Sequence, residues 1–340
     1  MKKKQLVIYD TDTVYAMRLQ RFLCEREVNH FEILSFSNRT ELETGCGIHG
    51  KTKPEILLVA ESCFYEEIRI LEVKHLFILN ETGLKNFAGF ANFNKYQAAS
   101  ILFQQILLEY AEREQDFVPR FCGNKKAKIV GVYTPITRCL QTGFSFSLAQ
   151  SLGKKGRTLY INFEQYSGFS KLFQKGYIKD LSDLVYYFAY SKEKFLYWLE
   201  GVVEHYGQID YIPPVLTATS LSEVPESVWT EMLDFIAKDT EYDYIVLDLD
   251  ENVQGIFQVL DLCHIVYTIT REDIISRAKL SQFQEVLEGS RYASVKEKIK
   301  YLNIPKLGLC DAGFEEMIHG ELLEYTDGLV DEDLHEQRRI

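Results

Sequence analysis

Thr142 and Asp248 are the two residues of this chain that type and surroundings best equip for phosphate and metal chemistry. Thr142 ends Tyr133-Thr-Pro-Ile-Thr-Arg-Cys-Leu-Gln-Thr142, a loop between the apolar run Lys128–Val132 and a helix expected to open at Gly143 and run through Gly153. Asp248 closes Tyr244-Ile-Val-Leu-Asp248, an apolar run of strand type. A strand, a loop and a helix N-terminus form a frame in which backbone N–H groups turn onto phosphate oxygens. A lysine then neutralises charge, and a Ser/Thr hydroxyl and a carboxylate hold magnesium. The pattern of such a loop is G-x-x-x-x-G-K-[ST]. Here Pro135, Leu140 and Gln141 stand at its two glycine positions and its lysine position, and only Thr142 fits. The residues in reach of a nucleotide are Thr137, Arg138, Cys139, Leu140, Gln141, Thr142, Gly143 and Asp248, with magnesium on Thr142 and Asp248. Each has a structural alternative. Thr142 can cap the helix, Asp248 can be solvated or bonded to the loop, and Cys139 beside Arg138 has the setting of a lowered thiol pKa.

A second constellation lies near the N-terminus. Asp10 and Asp12 follow the apolar strand Gln5–Tyr9, the buried run Glu55–Ala60 ends on Ala60, and Lys95 follows Asn94. Two carboxylates at the end of a first strand suit the cap of the helix that follows. Ala60 has no carboxylate with which to attack a phosphoryl donor. Gly45-Cys-Gly47-Ile-His-Gly50 matches G-x-G-x-x-G by letter. A dinucleotide loop needs a strand before it and a helix after it, whereas Asn38–Thr44 is polar and unpatterned, so a flexible loop is expected. Cys46 and His49 are too few for a metal site.

The elements that must position these residues alternate between apolar strands and amphipathic helices, which predicts parallel sheets covered on both faces. The fold class is α/β with two doubly wound domains: residues 1–116, a linker at 117–126 containing Pro119 and Gly123, and residues 127–340. A net charge of −12 disfavours a nucleic-acid surface. Seven unpaired cysteines suit a reducing cytoplasm. The apolar run behind Lys2-Lys3-Lys4 is too short for a signal peptide, and no run approaches the ~18–20 residues that span a bilayer.

The order strand, loop, helix, then Gly153-Lys-Lys-Gly-Arg-Thr-Leu-Tyr-Ile-Asn162 and Tyr242-Asp-Tyr-Ile-Val-Leu-Asp248, resembles the MinD/ParA group of P-loop ATPases. The first domain resembles a response-regulator receiver whose phospho-acceptor is replaced by Ala60, a pseudo-receiver with Asp10, Asp12 and Lys95 as its acidic site. The pair, with Tyr133–Thr142 and Phe163-Glu-Gln-Tyr-Ser-Gly-Phe169, is similar to the CpaE/TadZ branch that organises Tad-type pili. The resemblance implies ATP or ADP with magnesium as cofactor, a homodimer, and pilus or secretion proteins as partners. It also implies that Ile136 and Gln141 replace lysines, Leu140 replaces a glycine, and Asn162 and Glu164 stand at aspartate positions. A phosphoryl-transfer site without its lysines loses most of its charge neutralisation. The expected function is therefore a non-catalytic scaffold or localisation factor, a pseudo-ATPase, with an ATP-binding dimerisation switch as the alternative. The aromatic stretch Tyr186–Leu199 is dense enough to suggest an interface. The tail from Glu315 is polar and acidic, which disfavours direct membrane docking, so any polar or membrane-proximal placement would come through partners.

Overall fold

The computed structural model describes residues 4–25, 31–46, 53–83, 87, 89–114, 126–136, 139–216, 219–304 and 313–337; Thr137, Arg138, His49 and linker residues 117–125 lie outside them. The chain forms two compact units, Met1–Asp116 and Phe117–Ile340.

The first unit runs β1 (Lys4–Tyr9), α1 (Thr13–Glu25), β2 (Phe31–Phe36), α2 (Arg39–Cys46), β3 (Ile56–Ala60), β4 (His75–Asn80), β5 (Ala91–Asn94) and α3 (Ala99–Arg113). Its five strands are parallel in the order β2-β1-β3-β4-β5, the flavodoxin-like order. Every residue of β3 is buried, as a central parallel strand covered on both faces requires. Asn38–Thr44, polar and without a periodic signal in the sequence, is mostly helix α2. Asn38 accepts the Glu41 N–H at 2.8 Å, and Leu42 and Cys46, one turn apart, are buried. Gly45 therefore sits in a helix, where a Cβ would meet the Phe36 ring at 2.8 Å. The start of the G-x-G-x-x-G match is a helix end, and Gly47–Gly50 lie outside the described residues.

The second unit runs β6 (Lys128–Val132), α4 (Gln141–Gly153), β7 (Thr158–Asn162), α5 (Phe169–Leu172), α6 (Leu181–Tyr190), α7 (Phe195–Val202), β8 (Glu204–Tyr206) and β9 (Ile209–Ile212). It continues through α8 (Thr219–Ser222), α9 (Glu226–Asp239), β10 (Tyr244–Asp248), α10 (Ile256–Leu262), β11 (Ile265–Ile269), α11 (Ile274–Glu288), β12 (Ile299–Leu302), α12 (Phe314–His319) and α13 (Glu321–Gln337). The seven strands order as β12-β11-β6-β10-β7-β9-β8, parallel except for the β8–β9 pair. Helix α4 is apolar nearly all round and buried from Gly143 to Leu152, so it needs cover on the side away from the sheet. The acidic tail supplies it. Leu322, Thr326 and Val330 form a buried stripe at four-residue spacing. The Ser151 and Thr326 hydroxyls meet at 2.8 Å, and the Gln150 amide donates to the Ile318 carbonyl at 3.0 Å. Lys154 and Lys155 pair with Asp327 and Asp331 at the rim.

The aromatic stretch is mostly core. Tyr187, Phe188, Phe195, Tyr197 and Trp198 are buried, and only Tyr186 and Tyr190 stand clearly out, at 65% and 70% exposure. Their density fills the layer between α6, α7 and α9, where Phe188 and Phe195 both meet Phe235. Among the described residues no helix is long and apolar enough to cross a membrane.

Candidate functional site

Parallel register brings the carboxyl ends of β6, β10 and β7 level, so that Asp248 lies beside Val132 on one side and Asn162 on the other. Asp248 is fully buried. Its Oδ1 accepts the Gln141 side-chain amide at 2.7 Å, and its Oδ2 accepts the Tyr160 hydroxyl at 2.8 Å and the Asn162 amide at 3.0 Å. The same Gln141 amide donates to the Leu249 carbonyl at 2.9 Å. Each of these donors is neutral, so burial holds the Asp248 carboxyl above its ordinary pKa. The residue at the lysine position of the loop thus closes over the carboxylate that would serve magnesium.

Thr142 is not the helix cap. That position belongs to Leu140, and Thr142 is the second helical residue, close to Glu164. Leu140 holds φ 63° and ψ 24°, a left-handed conformation that costs a side chain with a Cβ roughly 1–2 kcal/mol. Glycine would adopt this conformation without that cost. Gly143 serves packing: a Cβ there would lie 2.7 Å from Met317 Cε on α12. Ile136 and Cys139 are buried. Burial pushes the Cys139 thiol up to about 11. Sequence alone suggested the opposite because Arg138 is its neighbour, and solvent exclusion decides the matter.

Burial and the adjacent Asp248 push Glu164 up to about 7 from 4.5. The fold favours its protonated form, so this contribution to stability is full at acid pH and is lost as pH rises through about 7. Glu164→Gln should therefore stabilise the chain by about 3 kcal/mol at pH 8 and by little at pH 4. Urea unfolding of both proteins at the two pH values measures the difference.

In the first unit the carboxyl ends of β1, β3, β4 and β5 gather the second constellation. Asp12 caps α1, accepting the Val14 and Tyr15 N–H groups at 3.1 and 3.0 Å. Asp10 is buried and pairs with Lys95 at 2.7 Å, and Lys95 pairs with Glu81 at the same distance. Burial works against the Lys95 ammonium, but its bonds to Asp10 and Glu81 outweigh that and raise its pKa. Ala60 is fully buried. Beside it the carboxylate of Glu61, itself buried, accepts the Glu81 and Thr82 N–H groups at 2.8 and 3.0 Å and the Thr82 hydroxyl at 2.9 Å. Glu61 and Glu81 were missed from the sequence, although each is the first charged residue after a buried strand, the same signal that singled out Asp10.

No protein-family model and no curated protein matches this chain. Among solved structures it is similar to a plasmid partition protein from Borrelia burgdorferi B31 bound to AMPPNP, at 14% identity over 62% of this chain and 100% of that one, with a TM-score of 0.45. It is similar to a ParA family ATPase from Chlorobium tepidum TLS, at 15% identity over 57% and 80%, TM-score 0.44. It is also similar to the septum site-determining protein MinD from Pyrococcus horikoshii OT3 complexed with Mg-ADP, at 13% identity over 60% and 97%, TM-score 0.43. The class that the chain itself defines is α/β, with a strand–loop–helix unit at the centre of a mostly parallel sheet.

Proposed function

We propose that this protein is a non-catalytic scaffold or localisation factor, a pseudo-receiver joined to a MinD/ParA-type unit, in the manner of the TadZ/CpaE proteins. It works in the cytoplasm through self-association and contacts with pilus or secretion proteins. The observation that carries the proposal is Gln141. Its amide is committed to Asp248 and to the Leu249 carbonyl, and it has no charge to offer a phosphate. Gly is also absent at Leu140, so backbone N–H groups there cannot be approached as closely. The first unit supports the same reading, because Ala60 lacks a nucleophile and Glu61 already engages Thr82.

The alternative is an ATP-dependent dimerisation switch, and one observation favours it: Thr142, Asp248 and Glu164 share one site, and magnesium would fit that donor set. In that case Thr142 and Asp248 would hold the ion. Calorimetry with ATP and with ADP, each with magnesium, separates the two. The scaffold reading expects no heat up to millimolar nucleotide. Micromolar affinity that Asp248→Asn weakens at least tenfold would overturn it.

A further inference from the structure

Glu55 leads into β3, His75 opens β4 and Glu114 caps α3, all at the end of the first sheet away from Asp10 and Lys95. One ligand atom from each lies within 4.8 Å of the others. Their side chains are 17%, 9% and 0% exposed. Glu55 Oε1 accepts the Tyr110 hydroxyl at 2.7 Å and meets Lys4 at 3.1 Å and Lys74 at 3.5 Å. Glu114 Oε1 meets Lys74 at 2.6 Å. His75 Nε2 faces Glu114 Oε2 at 3.4 Å.

That last separation is long for a hydrogen bond, which centres on about 2.9 Å. It matches the edge of a tetrahedron with metal–ligand bonds of about 2.0–2.1 Å, which measures about 3.4 Å. The imidazole packs against Tyr110, whose ring stands perpendicular to it at 5.1 Å. Tyr110 also fixes Glu55, so one residue orients two of the three ligands, as outer-shell groups of metal sites do. The two lysines balance the two glutamates in the absence of an ion. Lys74 is 39% exposed and can turn out to water, whereas Lys4 stays on the Tyr110 and Glu55 side.

We propose that Glu55, His75 and Glu114 form a binding site for a divalent transition metal, Zn²⁺ by ligand type, and that the Lys74 ammonium occupies its charge when the metal is absent. One histidine and two carboxylates leave a fourth position for water. The ion would tie the starts of β3 and β4 to the end of α3.

The test uses the full chain, stripped with a chelator and titrated with Zn²⁺ alone by calorimetry and with Co²⁺ alone by visible absorption. One equivalent should bind, with a tetrahedral cobalt spectrum that lacks a thiolate charge-transfer band, which sets the site apart from the cysteines. His75→Gln and Glu114→Gln should each weaken Zn²⁺ more than about 100-fold, beyond the usual outer-shell effect. Glu55→Gln, at the most exposed ligand, gives the same loss without disturbing the buried pair. Lys74→Ala should tighten Zn²⁺ about tenfold, because the competing ammonium is gone. A purely structural ion-pair cluster predicts no such gain. No binding by the parent chain and Lys74→Ala, unchanged affinity in His75→Gln, or a thiolate band would each overturn the proposal.

Discussion

Lys95→Met should cost the first unit about 3–5 kcal/mol, the range for breaking a buried ion pair by removing one partner. Methionine keeps the length of the stem and removes the ammonium. Asp10, which is 1% exposed, then keeps a carboxylate with no cation within reach among the described residues, and Glu81 faces it across the gap. The raised pKa of Lys95 fixes the pH range. A lysine stabilised in the folded state gives its full contribution below the ordinary lysine value and loses it only above, so the cost is complete at neutral pH. Because the pair is buried, added salt should leave the loss nearly unchanged. Asp10→Asn combined with Lys95→Met should recover part of it, and the double-mutant cycle measures the coupling. Both tryptophans, Trp198 and Trp229, lie in the second unit. Far-UV circular dichroism is therefore the signal for this transition, and tryptophan fluorescence reports on the other unit. A loss below about 1 kcal/mol would mean that solvent, rather than Lys95, satisfies Asp10.

The parts of this structure that were legible in the sequence are those where one physical effect dominates. Ile56–Ala60 and Tyr244–Asp248 are uninterrupted apolar runs, and both are central strands with every or nearly every residue buried. The alternation of such runs with helical stretches gave the α/β class, and the polar residues that end them marked Asp10 and Asp248, whereas Lys95 was marked only by the resemblance to a receiver. Short edge strands escaped. Ala91–Asn94 has one buried residue, Phe93, and no periodic signal. Helix α2 escaped because its two buried positions are embedded among charged neighbours, and its cap residue Asn38 also suits a turn. The tail was read by its charge, while Leu322, Thr326 and Val330 were already at helical spacing. Acidic composition describes the outer face of α13 and says nothing of the inner one.

The site itself divides in the same way. The absence of glycine and lysine from the loop was plain from Leu140 and Gln141. What the sequence could not supply was the direction of the Gln141 side chain, which depends on Asp248, Tyr160 and Asn162 converging from two other strands. Glu164 was visible only as a substitute for aspartate, and its raised pKa arises from burial next to Asp248, a pairing 84 positions apart in the chain. The Glu55–His75–Glu114 cluster was invisible for the same reason. Each residue alone reads as a polar strand or helix end, and parallel β3–β4 pairing with α3 behind them is what brings the three together.

Phe146→Ala should cost the second unit about 3–5 kcal/mol, at the upper end for a buried aromatic. Phe146 is fully buried on α4. Its ring meets Tyr160 at 5.1 Å, Tyr206 at 5.3 Å, Phe173 at 5.6 Å, and Phe169 and Phe314 at 5.8 Å. These partners come from the sheet, from the segment after β7 and from α12, so the cavity left by alanine has walls on several elements and cannot collapse by moving any one of them. Phe146→Leu keeps most of the volume and should cost about 1–2 kcal/mol. The comparison bears on function as well as stability. A unit that depended on nucleotide would gain stability from it as RT ln(1 + [L]/Kd). In the scaffold reading this unit is held by its aromatic layer and by α12 and α13 on α4, so millimolar Mg-ATP should leave its melting temperature unchanged in the parent chain and in Phe146→Ala alike. Rescue of the weakened variant by Mg-ATP, seen as a recovery of several degrees, would show that Gln141 gives way to nucleotide and would overturn the scaffold reading.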